Sequence, residues 1–441
     1  MRKFLFPLLL TASSCCLAFA QQENRRVIVT TDIGGTDPDD EESMVHLLMM
    51  ANDIDIEGMV CQMAFCNSPI GIATLNKIID AYALAETNLK AHDPRFPTAD
   101  YLRSIATTGQ TEVGMSGVGK GKDTPGSELI IAAVDSDDPR PVWLTAWGGM
   151  NTIAQAIWKV KHTRSEKEFK KFLGKIRIYD ILGQCDAGAW IAHNFPEILY
   201  IRARDVYNWA PDDNWTKENV QAFPPMGNVY PTRRWATEGD SPSFLYLVNN
   251  GLNIPEDVTA GGWGGRFSKK RTEAVRGMDW VERNNLDEKQ YDPYFMHTNP
   301  DGEQTIQRWS DAIRNDFAAR MQWSSKADFS AANHHPVILL NKESKPTRKP
   351  MSIKAKAGET IRFSIKNSYD PDGNSLRFSA YLYKEASEYN DNIDIRNSNG
   401  SFSFTVPKDA NGKVLHIIIE AVDNGKPAIT AYRRLVVKVA E

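Results

Sequence analysis

The sequence has few cysteines, no long apolar run and no excess of positive charge. Only 5 of the 441 residues are cysteine, which excludes a fold built mainly on disulfides. No stretch reaches the roughly 18 apolar residues that a membrane-spanning helix needs, so no membrane span is expected. The 52 Lys and Arg residues are outnumbered by 56 Asp and Glu. This balance gives no basic surface, so nucleic acid is not an expected partner.

The first 20 residues have the pattern of a secretory signal peptide. The basic pair Arg2–Lys3 precedes the apolar run Phe4–Leu10, and Ala18–Ala20 is a small-x-small cleavage site. We therefore expect a mature chain that begins at residue 21 and is secreted or periplasmic. Lipoprotein anchoring through Cys15–Cys16 is less favoured, because no Leu stands three residues before either cysteine.

Residues 21–332 are predicted to form an α/β domain. Its β-type runs are Val27–Thr31, Ile56–Cys61, Val142–Ala146, Ile176–Leu182 and Ile198–Ala203. Helical segments separate them, and a last helix is expected over Ile306–Met321. Alternation of strands and helices indicates βαβ units, and therefore an open, mainly parallel sheet with flanking helices.

Residues 333–441 are predicted to form a second domain, an immunoglobulin-like β-sandwich. The Lys- and Pro-rich segment Lys342–Pro350 is interpreted as a linker or a loop between edge strands. Five β-type runs follow at regular spacing: Thr360–Ile365, Leu376–Tyr383, Ser401–Val406, Leu415–Val422 and Arg433–Val439. Short strands separated by turn signals are typical of a sandwich of about 100 residues. We expect this domain to be a structural or docking module outside the catalytic site.

The most informative segment, Thr30–Asp40, joins the first strand to the first helix and carries four aspartates. They are Asp32, Asp37, Asp39 and Asp40. Open α/β sheets bind ligands at this end of a strand. Carboxylates so close together repel one another unless a cation lies between them, and calcium prefers such oxygen ligands. The absence of His and Cys disfavours zinc. A local alternative is that Asp39 caps the helix and Glu42 completes a capping box.

This segment resembles the N-terminal signature of nucleoside hydrolases, Asp-x-Asp-Pro-Gly-x-Asp-Asp, with Thr30 in place of the first aspartate and a longer loop. Trp147–Ala154 and Glu238–Leu245 resemble two further segments of that family. The resemblance implies a calcium site in which Asp32 is also the general base. The implied ligands are Asp32, Asp39, Asp40, the backbone carbonyl of Asn151, and Asp240. The alternative for Asp240 is a cap on the helix that follows it.

The sequence is similar over nearly its whole mature length to a bacterial family labelled cellulose-binding, which joins a nucleoside-hydrolase-like domain to a C-terminal β domain. Shared phrases include Ala146-Trp-Gly-Gly149, Glu238-Gly-Asp240, Gly261-Gly-Trp-Gly-Gly-Arg266 and Asp370-Pro-Asp-Gly373. Two positions depart from true nucleoside hydrolases. The segment that holds ribose through Glu and Asn is Gln184–Ile191 here, and the His before the last calcium ligand is Gly239. These departures disfavour purine and pyrimidine nucleosides as substrates.

Further candidate substrate contacts are polar or aromatic residues near the expected strand ends and the Asp240 segment. They are Asp37, Asp186, Trp190, His193, Glu238 and Trp263. Asp186, His193 and Glu238 are candidates for a general acid, and the two tryptophans for stacking on a sugar ring. Each of these residue types is also common as an ordinary surface or core residue. The glycine-rich loop Gly261–Arg266 is interpreted either as a lid over the pocket or as an ordinary flexible loop.

Two function hypotheses follow from these residues and resemblances. The first is an exported, calcium-dependent glycoside or N-glycoside hydrolase, in which metal-activated water attacks an anomeric carbon and Asp32 accepts its proton. The second is a non-catalytic protein that binds cellulose or another polysaccharide on the same fold. Both take a carbohydrate or glycoside as partner. The sequence leaves open which sugar is bound and whether the protein forms a homo-oligomer.

Overall fold

The computed structural model describes residues 24–64, 70–204, 206–235, 237–273 and 288–441. The predicted signal peptide and Cys66 lie outside these residues. No helix in the described part of the chain is long and apolar enough to cross a membrane. An α/β layer domain comes first in the chain and a strand-rich domain follows it.

Six strands of the first domain form one parallel sheet. They are β1 (Arg26–Thr31), β2 (Asp55–Cys61), β3 (Ala106–Thr108), β4 (Val142–Ala146), β5 (Ile176–Ile181) and β6 (Leu199–Ala203). Their order is β3-β2-β1-β4-β5-β6, and every neighbouring pair is parallel. The order reverses between β1 and β4, which opens a crevice at the carboxyl ends of these two strands. The predicted fold class of this domain is confirmed.

Helices cover both faces of the sheet. They are α1 (Asp39–Met49), α2 (Ile72–His92), α3 (Ala99–Ser104), α4 (Pro125–Asp135), α5 (Asn151–Thr163), α6 (Glu166–Gly174), α7 (Asp186–Asn194), α8 (Asp213–Thr216), α9 (Ser241–Leu245), α10 (Gln304–Gln307) and α11 (Ser310–Ser325). Successive residues of β1 serve opposite faces. Ile28 packs into one apolar core, and Val29 into the other. The strand is buried along its whole length because both faces are covered.

The remaining strands form a short antiparallel pair, β7 and β8, and the sheets of the second domain. They are β7 (Thr272–Glu273), β8 (Phe295–Met296), β9 (Met351–Ala355), β10 (Thr360–Ser364), β11 (Arg377–Leu382), β12 (Arg396–Ser398), β13 (Ser401–Thr405), β14 (Val414–Val422) and β15 (Thr430–Val439). The sheets β10-β13-β12 and β11-β14-β15-β9 contribute to one core that contains Phe363, Ile417 and Leu435. Pairing is antiparallel except between β15 and β9. The predicted β domain is therefore confirmed.

The five strands that the sequence did not predict, β3, β7, β8, β9 and β12, all lie at sheet edges. Each has only two to five residues, and most of their residues are half-buried or exposed. A short edge strand carries few buried apolar residues, so its sequence shows little of the pattern by which buried strands are recognised.

The helix predicted over Ile306–Met321 is two helices, α10 and α11, interrupted at Trp309. The Trp309 ring packs edge to face against Tyr383 at 5.7 Å and Tyr432 at 5.9 Å, both in the second domain. The Ser310 hydroxyl donates to the Gln307 carbonyl at 2.7 Å. Packing across the domain boundary therefore accompanies a break that the helical periodicity does not indicate.

The glycine-rich loop Gly261–Arg266 lies at the seam between the domains, so the predicted lid is wrong. The buried guanidinium of Arg434 on β15 donates to three backbone carbonyl oxygens at 2.7–2.8 Å. These carbonyls belong to Leu252, Ala260 and Gly261. Trp263 is 2% exposed and packs edge to face against Tyr432. Gly261 therefore serves close packing between the domains, since a Cβ atom there would lie 2.4 Å from the Tyr383 hydroxyl. The burial of Trp263 leaves it unavailable for stacking on a sugar.

Polar contacts also fix the segment that joins the two domains. Arg348, within the predicted linker, contacts the buried Asp53 carboxylate at 3.0 Å and the Asn249 carbonyl at 2.7 Å. His334 lies against the Phe329 ring at 3.6 Å and its Nδ1 contacts the Asp372 carboxylate at 2.8 Å. The linker thus follows the surface of the first domain.

We predict that Arg434→Met lowers the free energy of unfolding by at least about 3 kcal/mol, because it leaves three buried carbonyl oxygens without their donor. Urea unfolding followed by fluorescence measures this change. Arg396→Met is the control, since the Arg396 side chain is 84% exposed and its ion pair with Asp394 spans 3.8 Å; it should change stability by less than about 0.5 kcal/mol. Equal stabilities of the two variants would contradict the role given to Arg434.

Candidate metal centre

Asp32 directly follows β1 and is buried at the crevice. Its carboxylate lies against the backbone of Gly148, which follows β4. A Cβ atom at position 148 would lie 1.8 Å from Asp32 Oδ1. Only glycine leaves room here for the Asp32 side chain, so the ends of β1 and β4 shape this part of the site together.

Asp39 and Asp40 occupy the first turn of α1. The Thr31 hydroxyl donates to Asp40 Oδ1 and accepts the Ile33 N–H at 3.0 Å. These bonds connect the last residue of β1 to the aspartates of α1. The loop of residues 32–38 therefore returns the chain to the strand end from which it started.

The capping box considered for α1 is wrong. Pro38 stands at the N-cap and no side chain caps the helix, because the helix begins at Asp39 itself. Glu42 turns away from the helix start, and its carboxylate accepts the backbone N–H of Glu238 at 3.0 Å. Neither Asp39 nor Glu42 is therefore used as a local helix cap.

Asp240 comes to the same place from about 200 residues further along the chain. It stands at the N-cap of α9, yet its side chain makes no capping hydrogen bond, so the alternative of a helix cap is wrong. Its Oδ2 is buried and has no hydrogen-bond partner among the residues that the structure describes. Ligand atoms of Asp39, Asp40 and Asp240 all lie within 4.8 Å of one another. We call these three residues the aspartate cluster.

Burial raises the pKa of every carboxyl in the aspartate cluster, and repulsion from neighbouring aspartates raises it further. The pKa of Asp39 rises from 3.8 to about 8, with Asp37 and Asp32 as the neighbouring charges that contribute after burial. Buried carboxylates persist where they are paired or bind metal. The buried Asp240 Oδ2 and the all-oxygen donor set therefore fit calcium, which the cluster would hold with Asp32 beside it.

Asn151 begins α5 close to the end of β4. Its side-chain amide donates to the carbonyls of Met63 and Glu112, both at 2.8 Å. These bonds hold the loops that follow β2 and β3 against the start of α5. The role of the Asn151 backbone carbonyl as a metal ligand stays a prediction.

Glu238 lies beneath the cluster and does not face a substrate. It is fully buried, with a positive φ of 45°. Its carboxylate contacts His46 Nδ1 at 2.5 Å and accepts from the hydroxyls of Tyr230 at 2.6 Å and Ser241 at 2.8 Å. The prediction of a substrate contact or general acid at Glu238 is therefore wrong. These bonds fix the turn that presents Asp240.

The other predicted substrate contacts are divided. Asp37 is near the cluster, since its charge raises the pKa of Asp39. Asp186 is buried and accepts the Met115 N–H at 2.9 Å. Trp190 packs edge to face on Phe195 in the core, and exposed His193 contacts the Pro293 carbonyl at 3.0 Å. Trp190 therefore lies in the apolar core and offers no free face for a sugar ring, while the substrate contact at His193 stays a prediction.

Sequence reasoning missed two groups at this edge of the sheet. Tyr207, on the loop after β6, lies within electrostatic reach of the aspartates, which together with burial raise the pKa of its phenol. Arg234 donates to the Thr36 carbonyl at 3.3 Å, and its guanidinium lies 4.2 Å from the ring centre of Trp235, which is 61% exposed. Both belong to irregular segments, where periodicity gives no signal.

The fold and the cluster define a nucleoside-hydrolase-like protein. Residues 26–267 match the family described as cellulose-binding Sde182, nucleoside hydrolase-like domain. Residues 360–439 match the C-terminal domain of cellulose-binding protein Sde0182. The chain belongs to this family, which confirms the resemblance found in its sequence.

A solved structure from Saccharophagus degradans is similar over both domains. It is described as a nucleoside hydrolase-related hypothetical protein associated with carbohydrate metabolism. It is 48% identical, covers 95% of this chain and 100% of its own, and superposes with a TM-score of 0.90. A chimeric titin Z1Z2 structure, 16% identical, matches 24% of this chain and 98% of its own with a TM-score of only 0.16. No curated protein matches the chain.

We predict that Asp240→Asn weakens calcium binding by at least about tenfold, because affinity follows the number of carboxylate ligands. In the absence of calcium the variant should be as stable as the parent or more stable, since it removes a buried acidic group. Calorimetric titration and thermal unfolding measure the two effects. Asp212→Asn is the control, because the Asp212 side chain caps α8 by accepting the Trp215 N–H. Unchanged calcium affinity in Asp240→Asn would exclude it as a ligand.

The raised pKa values predict how stability depends on pH. Between the ordinary value of 3.8 and about 8, the folded Asp39 carboxyl binds more protons than the unfolded one. The contribution of the cluster to stability without calcium therefore falls as pH rises through this window. Calcium bound at the cluster would replace those protons, so the increase in melting temperature on adding calcium should grow from about pH 5 to pH 8. A constant increase across this range would contradict the protonated cluster.

Proposed function

We propose that the protein is an exported, calcium-dependent hydrolase that cleaves a glycosidic or N-glycosidic bond. The observation that carries this proposal is the buried aspartate cluster at the reversal of strand order, with Asp32 beside it. Three carboxyls that lie so close together, two of them on buried residues, are costly to keep charged, and a divalent cation bound between them would remove that cost. Catalysis at this edge of an open α/β sheet is the usual arrangement.

In the proposed mechanism Asp39, Asp40 and Asp240 would hold the ion, and Asp32 would act as the base. Bound calcium would orient sugar hydroxyls and lower the pKa of a bound water. Asp32 accepts the proton of the attacking water, which the backbone of Gly148 allows by leaving space for the carboxylate. As water forms the new bond to the anomeric carbon, the bond to the leaving oxygen or nitrogen breaks and that atom takes up a proton from solvent, so the configuration is inverted.

The proposed substrate is a sugar glycoside and not a purine or pyrimidine nucleoside. The segment Gln184–Ile191 lacks the Glu and Asn that hold ribose in nucleoside hydrolases, and its polar side chains have internal partners. Gln184 donates to the Trp147 carbonyl, and Asp186 accepts from Met115. The cellulose-binding family description and the link of the Saccharophagus relative to carbohydrate metabolism also support a sugar.

A carbohydrate-binding protein without turnover is the second candidate. The family description favours it, because it names cellulose binding and no reaction. In this alternative the cluster would still bind calcium, and the ion would hold sugar hydroxyls without activating water. The two candidates therefore share the metal and differ in what Asp32 does.

The experiment compares the parent protein with Asp32→Asn on 4-nitrophenyl glycosides, nucleosides and cello-oligosaccharides. We expect turnover that needs calcium, stops with a chelator and falls at least about 100-fold in Asp32→Asn. Asp80→Asn is the control, because the Asp80 side chain is 67% exposed on α2. Calcium-dependent retention on cellulose with no turnover of any substrate would favour the binding protein. Turnover that survives the chelator would overturn the calcium mechanism.

A further inference from the structure

We propose that the phenol of Tyr207 donates a hydrogen bond to an oxygen of the sugar that binds at the aspartate cluster. The ligand class is a neutral carbohydrate that presents a hydroxyl or glycosidic oxygen next to the metal. This inference rests on the proposed binding of a sugar at the cluster. It applies to the hydrolase and to the binding protein, since both bring a sugar to the same place.

Tyr207 lies at the edge of the sheet where the cluster is. It follows the carboxyl end of β6 by four residues. After burial, the charges that act most on its phenol are those of Asp39, Asp240, Asp37 and Asp40. These carboxylates would hold the cation. A sugar bound to that cation would therefore lie beside the phenol.

Gly239 fixes the Tyr207 ring next to Asp240. A Cβ atom at position 239 would lie 2.3 Å from Tyr207 Cε1 and 3.1 Å from Cδ1 and Cζ. The ring therefore occupies the space that any other residue at 239 would need. Glu238, on the other side of Gly239, is held by its buried hydrogen bonds. The ring consequently rests on a rigid turn whose next residue is a cluster aspartate.

The Tyr207 hydroxyl differs from those of other tyrosines in this domain. Several of these donate to protein oxygens: Tyr82 to Pro97, Tyr179 to Gly264, Tyr200 to Asp180, Tyr230 to Glu238 and Tyr246 to Pro255. No residue in the described ranges accepts a hydrogen bond from Tyr207, which is only half-buried. Its ring is packed while its donor is still available, which suits a ligand contact.

At the position of Gly239, the nucleoside hydrolases that the sequence resembles have a His. Here that position has no side chain, and the polar ring beside the last aspartate comes from the loop after β6. The source of the contact is therefore a different strand end. The site therefore has a phenol where those hydrolases have an imidazole. This difference agrees with the proposal that the ligand is not a nucleoside.

Tyr207→Phe tests the proposal, because it keeps the ring and removes only the hydroxyl. Calorimetry measures calcium affinity, and then the affinity for cellohexaose, 4-nitrophenyl β-D-glucopyranoside and inosine with calcium present. We expect calcium affinity within about twofold of the parent and a loss of about fivefold to tenfold for the sugar that the parent binds. Tyr82→Phe is the control, since the Tyr82 hydroxyl bonds to the Pro97 carbonyl, and it should change neither affinity.

Each other outcome overturns the role of Tyr207 in a recognisable way. Unchanged sugar affinity in Tyr207→Phe overturns it and leaves the proposed function standing. A matching fall in calcium affinity shows that the phenol serves the metal and not the sugar. A parent protein that binds none of the three probes overturns both the role of Tyr207 and the proposed function. Sugar binding without turnover, weakened in Tyr207→Phe, supports the contact while overturning the hydrolase.

Discussion

Repulsion among buried carboxyls is the constraint on which the site depends. Asp39 and Asp40 arrive on the first turn of α1, and Asp240 arrives at the start of α9. Burial and mutual repulsion raise the pKa of each carboxyl, so the fold holds groups whose charged forms it disfavours. Buried hydrogen bonds fix the surrounding backbone and so keep these groups together. The buried bonds of Glu238 and the Thr31 hydroxyl supply much of that rigidity.

The β-sandwich extends this support from outside the first domain. Arg434 holds the carbonyls that lead into the loop Gly261–Arg266. Gly264 in that loop packs against α9, since a Cβ there would lie 2.3 Å from the Pro242 carbonyl oxygen. Its own carbonyl accepts the Tyr179 hydroxyl at 2.8 Å. The second domain therefore braces the helix that follows Asp240, although the cluster itself lies wholly in the first domain.

Local patterns predicted much of the fold and part of the site. β4 has the bounds that its apolar run predicts. The aspartates after β1 are close together in sequence, so their position at a strand end predicts that they crowd together. Asp240 needed the family resemblance, because nothing local distinguishes it from a helix cap. The partners His46 and Glu238 are 192 residues apart. Only the three-dimensional fold brings them together, as it does Trp263 and Tyr432.

Sequence patterns indicate metal-binding residues better than they indicate the residues that determine which sugar is bound. Metal ligands must be carboxylates at fixed strand ends, so their types and spacing are restricted. A sugar contact needs only one donor or aromatic face near the ion, and any loop along the same sheet edge can supply it. Here Gly239 offers no side chain and Tyr207 fills that space from another loop. In the proposed site the same aspartates could thus serve different ligands, because a bound ion would fix where a sugar binds and the neighbouring loops would determine which sugar fits.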